Sequence, residues 1–286
     1  MVDAPAPVVP ELVAQGLDVD VLDYRCRAGV HPPGPEEHND SHSVVFVRRG
    51  VFSREVRGER LIADANQVLF FNAGEPYRVE HPVAGGDDCT VFSLSEAVAR
   101  ELVGRHAPRQ VDDLRGPFRF RQALSAPRAL RAQYDLLGRA RAVSRLDFED
   151  GLVALLDEVV GAACARVERS AVDARARRRR RDLVEAAKTE VHRDLSRTPT
   201  LSDLARRLDC SPFHLSRVFP EVAGLSLRAY VARLRTRAAA ERLMRGARDL
   251  TALALSLGYA DHSHFTNAFR REWGVPPSVF RAAGAP

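Results

Sequence analysis

Leu204-Ala205, Leu208-Asp209-Cys210-Ser211-Pro212, Leu215-Ser216-Arg217-Val218-Phe219 and a closing Gly224 make up the first half of a stretch, Thr200 to Arg281, that is written twice. The second half reads Leu253-Ala254, Leu257-Gly258-Tyr259-Ala260-Asp261, Phe265-Thr266-Asn267-Ala268-Phe269 and Gly274. Ala205 and Ala254 lie 49 apart, whereas Leu215 and Phe265, Phe219 and Phe269, and Gly224 and Gly274 lie 50 apart, so the second turn carries one inserted residue. An internal repeat of this period is one supersecondary unit used twice.

Each copy reads as two helices joined by a tight turn. Leu201, Leu204, Ala205 and Leu208 recur at helical spacing and bury one face. Asp209 and Gly258 hold the turn, where the backbone needs a left-handed residue. Ser211 suits an N-cap and Pro212 the first helical position. Gly224 and Gly274 stop the second helices. Leu215, Val218 and Phe219 return to the core, which leaves Phe213, His214, Ser216 and Arg217 pointing outward. Between the copies, Leu227, Tyr230, Val231, Leu234, Ala238 and Leu243 mark a helix from Ser226 to Met244, about 30 Å long. That length is close to the ~34 Å between successive major-groove faces of B-DNA, so a rigid rod carrying both copies could serve adjacent grooves on one side of a duplex.

Charge supports a polyanionic partner. Residues 175–286 hold 22 Arg and Lys against 11 Asp and Glu, while residues 1–174 hold 21 against 27. The chain is thus split into a basic part of +11 and an acidic part of −6. A one-sided basic excess is the electrostatic footprint of nucleic-acid binding.

The ordered run Gly258-Tyr259-Ala260-Asp261-His262-Ser263-His264-Phe265, Phe269-Arg270-Arg271, Gly274-Val275-Pro276-Pro277 and Phe280-Arg281 resembles the two-copy DNA-binding domain of AraC/XylS-type transcription regulators. The resemblance is strong over residues 183–282. It implies that the outward positions of each second helix read bases: Phe213, Ser216 and Arg217 in the first copy, His262, Ser263, Thr266 and Asn267 in the second. The chemistry agrees, since Arg can pair with guanine, Asn with adenine, and Phe with a thymine methyl. Arg270 and Arg271 suit phosphates. The family usually carries Lys or Arg where this chain has Pro220. A proline there predicts a first recognition helix that bends or ends early. The resemblance also implies double-stranded DNA and RNA polymerase as partners, a small-molecule effector, a role as activator or repressor, and homodimer formation.

Residues 1–168 read as an effector-sensing and dimerisation domain, 169–182 as an Arg-rich linker, and 183–286 as the all-α double helix-turn-helix domain, an α+β chain overall. Val19–Arg25, Ser43–Arg48, Val51–Val56, Gln67–Phe71, Tyr77–Glu80 and Cys89–Leu94 are rich in β-branched and aromatic residues, and Gly50, Gly58 and Gly74 supply breaks. These strands predict a small barrel that looks like the cupin-type domain often preceding this module. The Asn72–Tyr77 loop is placed to rim a pocket. Two helices follow, marked by Leu130, Tyr134 and Leu137 and by Leu152, Leu155, Leu156, Val159 and Ala163; they either cover the barrel or dimerise.

No catalytic residue, metal site or cofactor is expected. His38, His42 and His81 do not make the His-x-His set of metal-dependent cupins, and Cys26, Cys89, Cys164 and Cys210 form no C-x-x-C pair. A cupin-type enzyme or a DNA-repair protein fused to the same module is the alternative, and a non-specific architectural DNA binder is another. The longest apolar run, Leu152–Ala165, contains Asp157 and Glu158 and spans no membrane; the residues from Asp3 to Glu11 lack the pattern of a signal peptide. A cytoplasmic location follows as the expectation.

Overall fold

The computed structural model describes residues 10–16, 18–110, 116–139, 144–167 and 174–283. Residues 169–173 of the expected linker and the stretch from Asp3 to Pro7 lie outside the described residues. Among the described residues there are eight antiparallel strands: β1 (Glu11–Gln15), β2 (Val19–Arg25), β3 (His42–Val56), β4 (Glu59–Asp64), β5 (Gln67–Phe71), β6 (Arg78–Glu80), β7 (Asp87–Leu94) and β8 (Gln122–Leu124). Their main path runs β1-β2-β7-β3-β5-β8, with β4 and β6 paired to the far half of β3.

The expected barrel is therefore corrected to an open, two-part sheet. It does not close because, among the described residues, β1 and β8 each have a single strand partner. The long β3 joins the two parts. Its near half, His42–Gly50, lies between β5 and β7; its far half, Val51–Val56, pairs with β4 and β6. Gly50, expected to break the strand, instead lets it bend. Its φ is +79°, and a Cβ there would stand 1.9 Å from the Gly86 carbonyl oxygen. The register with β7 shifts between Val47 and Arg49, as a bulge does when it turns a strand.

Alternate residues of the sheet serve two cores. Val44, Phe46, Phe70 and Phe92 face the helices, while Val45, Val47, Leu69, Phe71 and Cys89 line the inner hollow with Phe52 and Leu61. Both faces are covered, which is why these strands read as unbroken apolar runs. Three helices cover the first face: α1 (Glu96–His106), α2 (Pro127–Arg139) and α3 (Arg145–Val167). Leu130, Tyr134, Leu152, Leu155, Leu156, Val159 and Ala163 are all buried there. The apolar stripes of α2 and α3 thus pack within the chain.

Seven further helices follow among the described residues: α4 (Ala174–Arg193), α5 (Leu201–Arg207), α6 (Pro212–Ala223), α7 (Leu227–Met244), α8 (Leu250–Ser256), α9 (His262–Trp273) and α10 (Pro277–Ala283). The arginine run from Arg177 to Arg181 opens α4 as regular helix. Arg178 donates to the Gly58 carbonyl, Arg181 pairs with Glu59 and Arg180 with Glu221, so the run braces both parts of the chain.

The two helical copies do not have equivalent cores. Leu204, Leu215, Val218, Phe219, Tyr230 and Leu234 form a cluster with α4. Phe265, Phe269, Trp273 and Phe280 of the second copy merge with α1, α2, α3 and the sheet into one continuous core. Polar bonds seal the same seam. Buried Arg237 of α7 reaches the carbonyls of Ala65 and Ser125 and the Glu272 carboxylate, and burial holds its guanidinium down at about 10. Tyr230 donates to Asp64, and Asn66 donates to the Tyr230 carbonyl at 3.1 Å. Tyr134 donates to Glu241 at 2.8 Å.

Candidate nucleic-acid interface

The two helix pairs are built alike, residue for residue. After α5 the Cys210 N–H donates to the Ala205 carbonyl at 3.0 Å; after α8 the Tyr259 N–H donates to Ala254 at 3.1 Å. Both turns pass through a left-handed residue, Asp209 at φ +51° and Gly258 at φ +78°. Only glycine fits the second turn, because a Cβ on Gly258 would meet the Ser196 carbonyl oxygen at 2.1 Å. Ser211 then caps α6 by accepting from the His214 N–H, and Asp261 caps α9 by accepting from the His264 N–H. Gly224 and Gly274 end these helices in the left-handed conformation.

Pro220 corrects one expectation. α6 runs through it to Ala223 and spans 12 residues, the same as α9, so the first recognition helix is not shortened. Pro220 lies in the last third of the helix. The only donor it removes is the one Ser216 O would have used, while its own carbonyl accepts the capping Gly224 N–H at 2.9 Å.

One face of each helix is buried and the other is bare. Leu215, Val218, Phe219 and Ala223 anchor α6; Phe265, Phe269 and Trp273 anchor α9. Outward on α6 stand Phe213, 77 % exposed, with Ser216 and Arg217. Outward on α9 stand His262, Ser263, Asn267, Arg270 and Arg271. Thr266 is half-buried, and its hydroxyl is buried without a hydrogen-bond partner among the described residues. Arg217, Arg270 and Arg271 form no ion pair with a described residue, in contrast to Arg206 with Asp203 and Arg207 with Glu190 on the neighbouring helix. Exposed cations without internal partners, on two similarly capped helices, form a surface suited to phosphates and base edges.

Some organising residues are not evident from the sequence. Arg235 of α7 donates to the carbonyls of Leu195 and Ser196 beside the first copy and of Gly258 in the turn of the second, at 3.0–3.1 Å. It therefore ties the two copies across the rod. Its signal in the sequence, an arginine on an otherwise amphipathic helix, is shared by Arg228, Arg233 and Arg242. Burial raises the nearby Tyr259 hydroxyl to about 12, keeping it neutral beside Arg235.

The first part of the chain holds two cavities. One of ≈ 470 Å³ opens into the hollow of the sheet and is lined by residues including Tyr24, Ser43, Phe71, Tyr77, His81 and Asp87. The other, ≈ 800 Å³, lies between the sheet and α4–α6 and is rich in arginine, including Arg121, Arg166 and Arg180. The Asn72–Tyr77 loop rims both, with Tyr77 in the first and Asn72 and Glu75 in the second.

The arrangement is that of helix-turn-helix proteins. Residues 204–283 match the family described as "Helix-turn-helix domain". An AraC-like transcription regulator of Streptomyces lividans is 35% identical over 99 residues, covering 35% of this chain and 33% of the relative. The regulatory protein PocR of Salmonella typhimurium is 31% identical over 81 residues, covering 28% of this chain and 27% of its own. The Bacillus subtilis bifunctional transcriptional activator/DNA repair enzyme AdaA is 30% identical over 82 residues, 29% of this chain and 39% of that protein. An apo form of ToxT from Vibrio cholerae overlays 94% of this chain and 99% of its own at 12% identity and a TM-score of 0.40. Over its C-terminal residues the chain is similar to helix-turn-helix and AraC-like transcription regulators. It spans about a third of the length of the curated relatives it matches. No helix among the described residues is long and apolar enough to cross a membrane.

Proposed function

We propose that the protein is a sequence-specific, non-enzymatic DNA-binding transcription regulator whose α6 and α9 enter adjacent major grooves. The observation that carries this reading is the matched pair of capped helices, each with a bare outer face that includes cations free of ion pairs with described residues. α7, 18 residues and about 27 Å long, joins them. In this reading Phe213, Ser216, Arg217, His262, Ser263, Thr266 and Asn267 meet bases, while Arg270 and Arg271 meet phosphates. The Thr266 hydroxyl turns outward on binding, exchanging its unpartnered site for a base edge or a water. A small-molecule effector in the ≈ 470 Å³ hollow of the sheet would act through the seam that ties α7 to the strands. Contact with RNA polymerase is part of the same proposal.

Hydroxyl-radical footprinting of the full chain on a bound duplex tests it. Two protected patches on one face, centred about 10 base pairs apart, are expected. One patch, or uniform protection along the duplex, would contradict the two-groove arrangement.

A further inference from the structure

Behind the floor of the sheet hollow, Cys26, His81 and Asp87 place a thiol sulfur, an imidazole nitrogen and a carboxylate oxygen within 4.8 Å of one another. All three side chains are buried. The backbone fixes the grouping: the Cys26 N–H donates to the Asp87 carbonyl at 2.8 Å, and Gly86 approaches so closely that a Cβ there would stand 2.3 Å from the Cys26 carbonyl oxygen.

The hydrogen bonds around His81 run in one direction. His31 Nδ1 lies 2.7 Å from the Pro32 carbonyl oxygen, which only accepts, so Nδ1 carries the hydrogen. In the form with one ring hydrogen, His31 presents Nε2 as an acceptor, and it faces His81 Nδ1 at 2.7 Å. His81 Nδ1 is therefore a donor, and in the neutral ring Nε2 holds a lone pair. That lone pair faces Asp87 Oδ1 at 2.8 Å. Two acceptors opposed in a buried site require a cation between them, either a proton or a metal ion. With a proton there, Cys26 is a further hydrogen-bond partner of the His81 imidazole. With the thiol ionised, thiolate, imidazole and carboxylate converging on one point form a donor set for zinc-class ions.

We propose that Cys26 Sγ, His81 Nε2 and the Asp87 carboxylate bind one thiophilic divalent ion of the zinc class, with His31 orienting His81 from behind. A span of 4.8 Å or less needs small closure or opening to accept metal bonds of about 2.0–2.3 Å. The His81 Nδ1–H to His31 bond is the kind of outer contact that fixes a ligating imidazole. Binding releases the Cys26 thiol proton and the proton between His81 and Asp87 to solvent. The fourth coordination position is open to the ≈ 470 Å³ hollow, which reaches both His81 and Asp87, and takes water or a small donor ligand. Cys89 is not a ligand; its Sγ donates to Asp87 Oδ2 at 3.1 Å and holds the other carboxylate oxygen. The site also adjoins the helical rod. Asp88, next to Asp87, accepts from Arg27, Arg49 and Arg245, the last at the end of α7. The proposal stands apart from the DNA reading and does not depend on it.

Reduced, metal-stripped full-length protein titrated anaerobically with Co²⁺ tests the site. The expected result is a thiolate-to-cobalt charge-transfer band that saturates at one ion per chain, with four-coordinate d–d bands, and that Zn²⁺ abolishes. Cys26→Ser, folded by circular dichroism, loses the charge-transfer band, and Cys89→Ser keeps it. If Cys26→Ser does not fold, the triple variant Cys89→Ser, Cys164→Ser, Cys210→Ser decides, because Cys26 is then the sole thiol and the band persists. No charge-transfer band in the unaltered protein would mean that a proton alone occupies the position and would overturn the proposal. So would a full band in folded Cys26→Ser, or its loss in the triple variant.

Discussion

Arg217 stands exposed on α6, six residues after the Ser211 cap, with no ion pair to a described residue. In a major groove its planar fork can meet two acceptors of one guanine, a contact that discriminates by about 1–3 kcal/mol. Arg217→Ala should cost that much on the preferred duplex and relax preference at a single base pair, as read by titrations on a set of single-substitution duplexes. Equal weakening on all duplexes would make Arg217 a phosphate contact instead. At this scale the sequence was informative where chemistry is local. Asp209, Ser211, Pro212, Gly224, Gly258 and Gly274 all hold the backbone roles their residue types suit. Cys26, His81 and Asp87 are not legible as a group, because they are separated by 55 and 6 residues; the pairing of β2 with β7 brings Cys26 to Asp87, and the bridge between His31 and His81 brings in the imidazole.

Between elements, the repeat made both helix pairs legible, but not what holds them in register. Arg235 does so by bridging carbonyls from the first copy's approach loop to the second copy's turn. Arg235→Ala should leave binding to either half-site alone nearly unchanged while lowering affinity for the joined site about tenfold, and it should widen the tolerated spacing. Binding assays on duplexes with one and two inserted base pairs measure this. Pro220 sits at the position matching Arg270, 50 residues earlier, and α6 is intact around it. Pro220→Arg should therefore strengthen binding to the selected and a scrambled duplex alike, chiefly through an added phosphate contact, with a gain that shrinks as salt rises. Equal affinities for variant and parent at low salt would mean that this position does not face the backbone. β2 and β5 end where their residue patterns say, and β1 adds a strand before the first one expected, whereas β4, β8 and α1 are not legible in the sequence. Charged Glu59-Arg60 and the brevity of Gln122–Leu124 hide the two strands, and Ser95, which caps α1, is a weak signal taken alone.

The whole molecule is sealed along α7, and no reading by segments foresaw that. Composition and charge divide near residue 175, yet the core of the second helical copy continues into the sheet-covering helices. Side chains from distant segments made that seam, so it left no periodic trace. Asp64 lies in it, fully buried. Burial alone would raise its carboxyl, but the His192 hydrogen bond and charge, Lys188 and the Tyr230 hydroxyl outweigh this and hold it below the usual range. Ionised Asp64 thus stabilises the fold above the ordinary carboxylate value of about 3.9, and that contribution is lost as pH falls through the lower folded value. Tyr230→Phe should destabilise the chain by about 1–3 kcal/mol in urea at neutral pH and start the acid loss at higher pH. An unchanged urea midpoint would show that the seam contributes little.

In this reading the chain presents two helices, α6 and α9, to one face of DNA. Selection from a random-sequence duplex pool with the full chain tests it most directly. The account predicts an enriched motif of two distinct blocks about one helical turn apart, with Arg217→Ala degrading one block and Asn267→Ala the other. A pool that shows no enrichment, or a single block insensitive to either substitution, would contradict it.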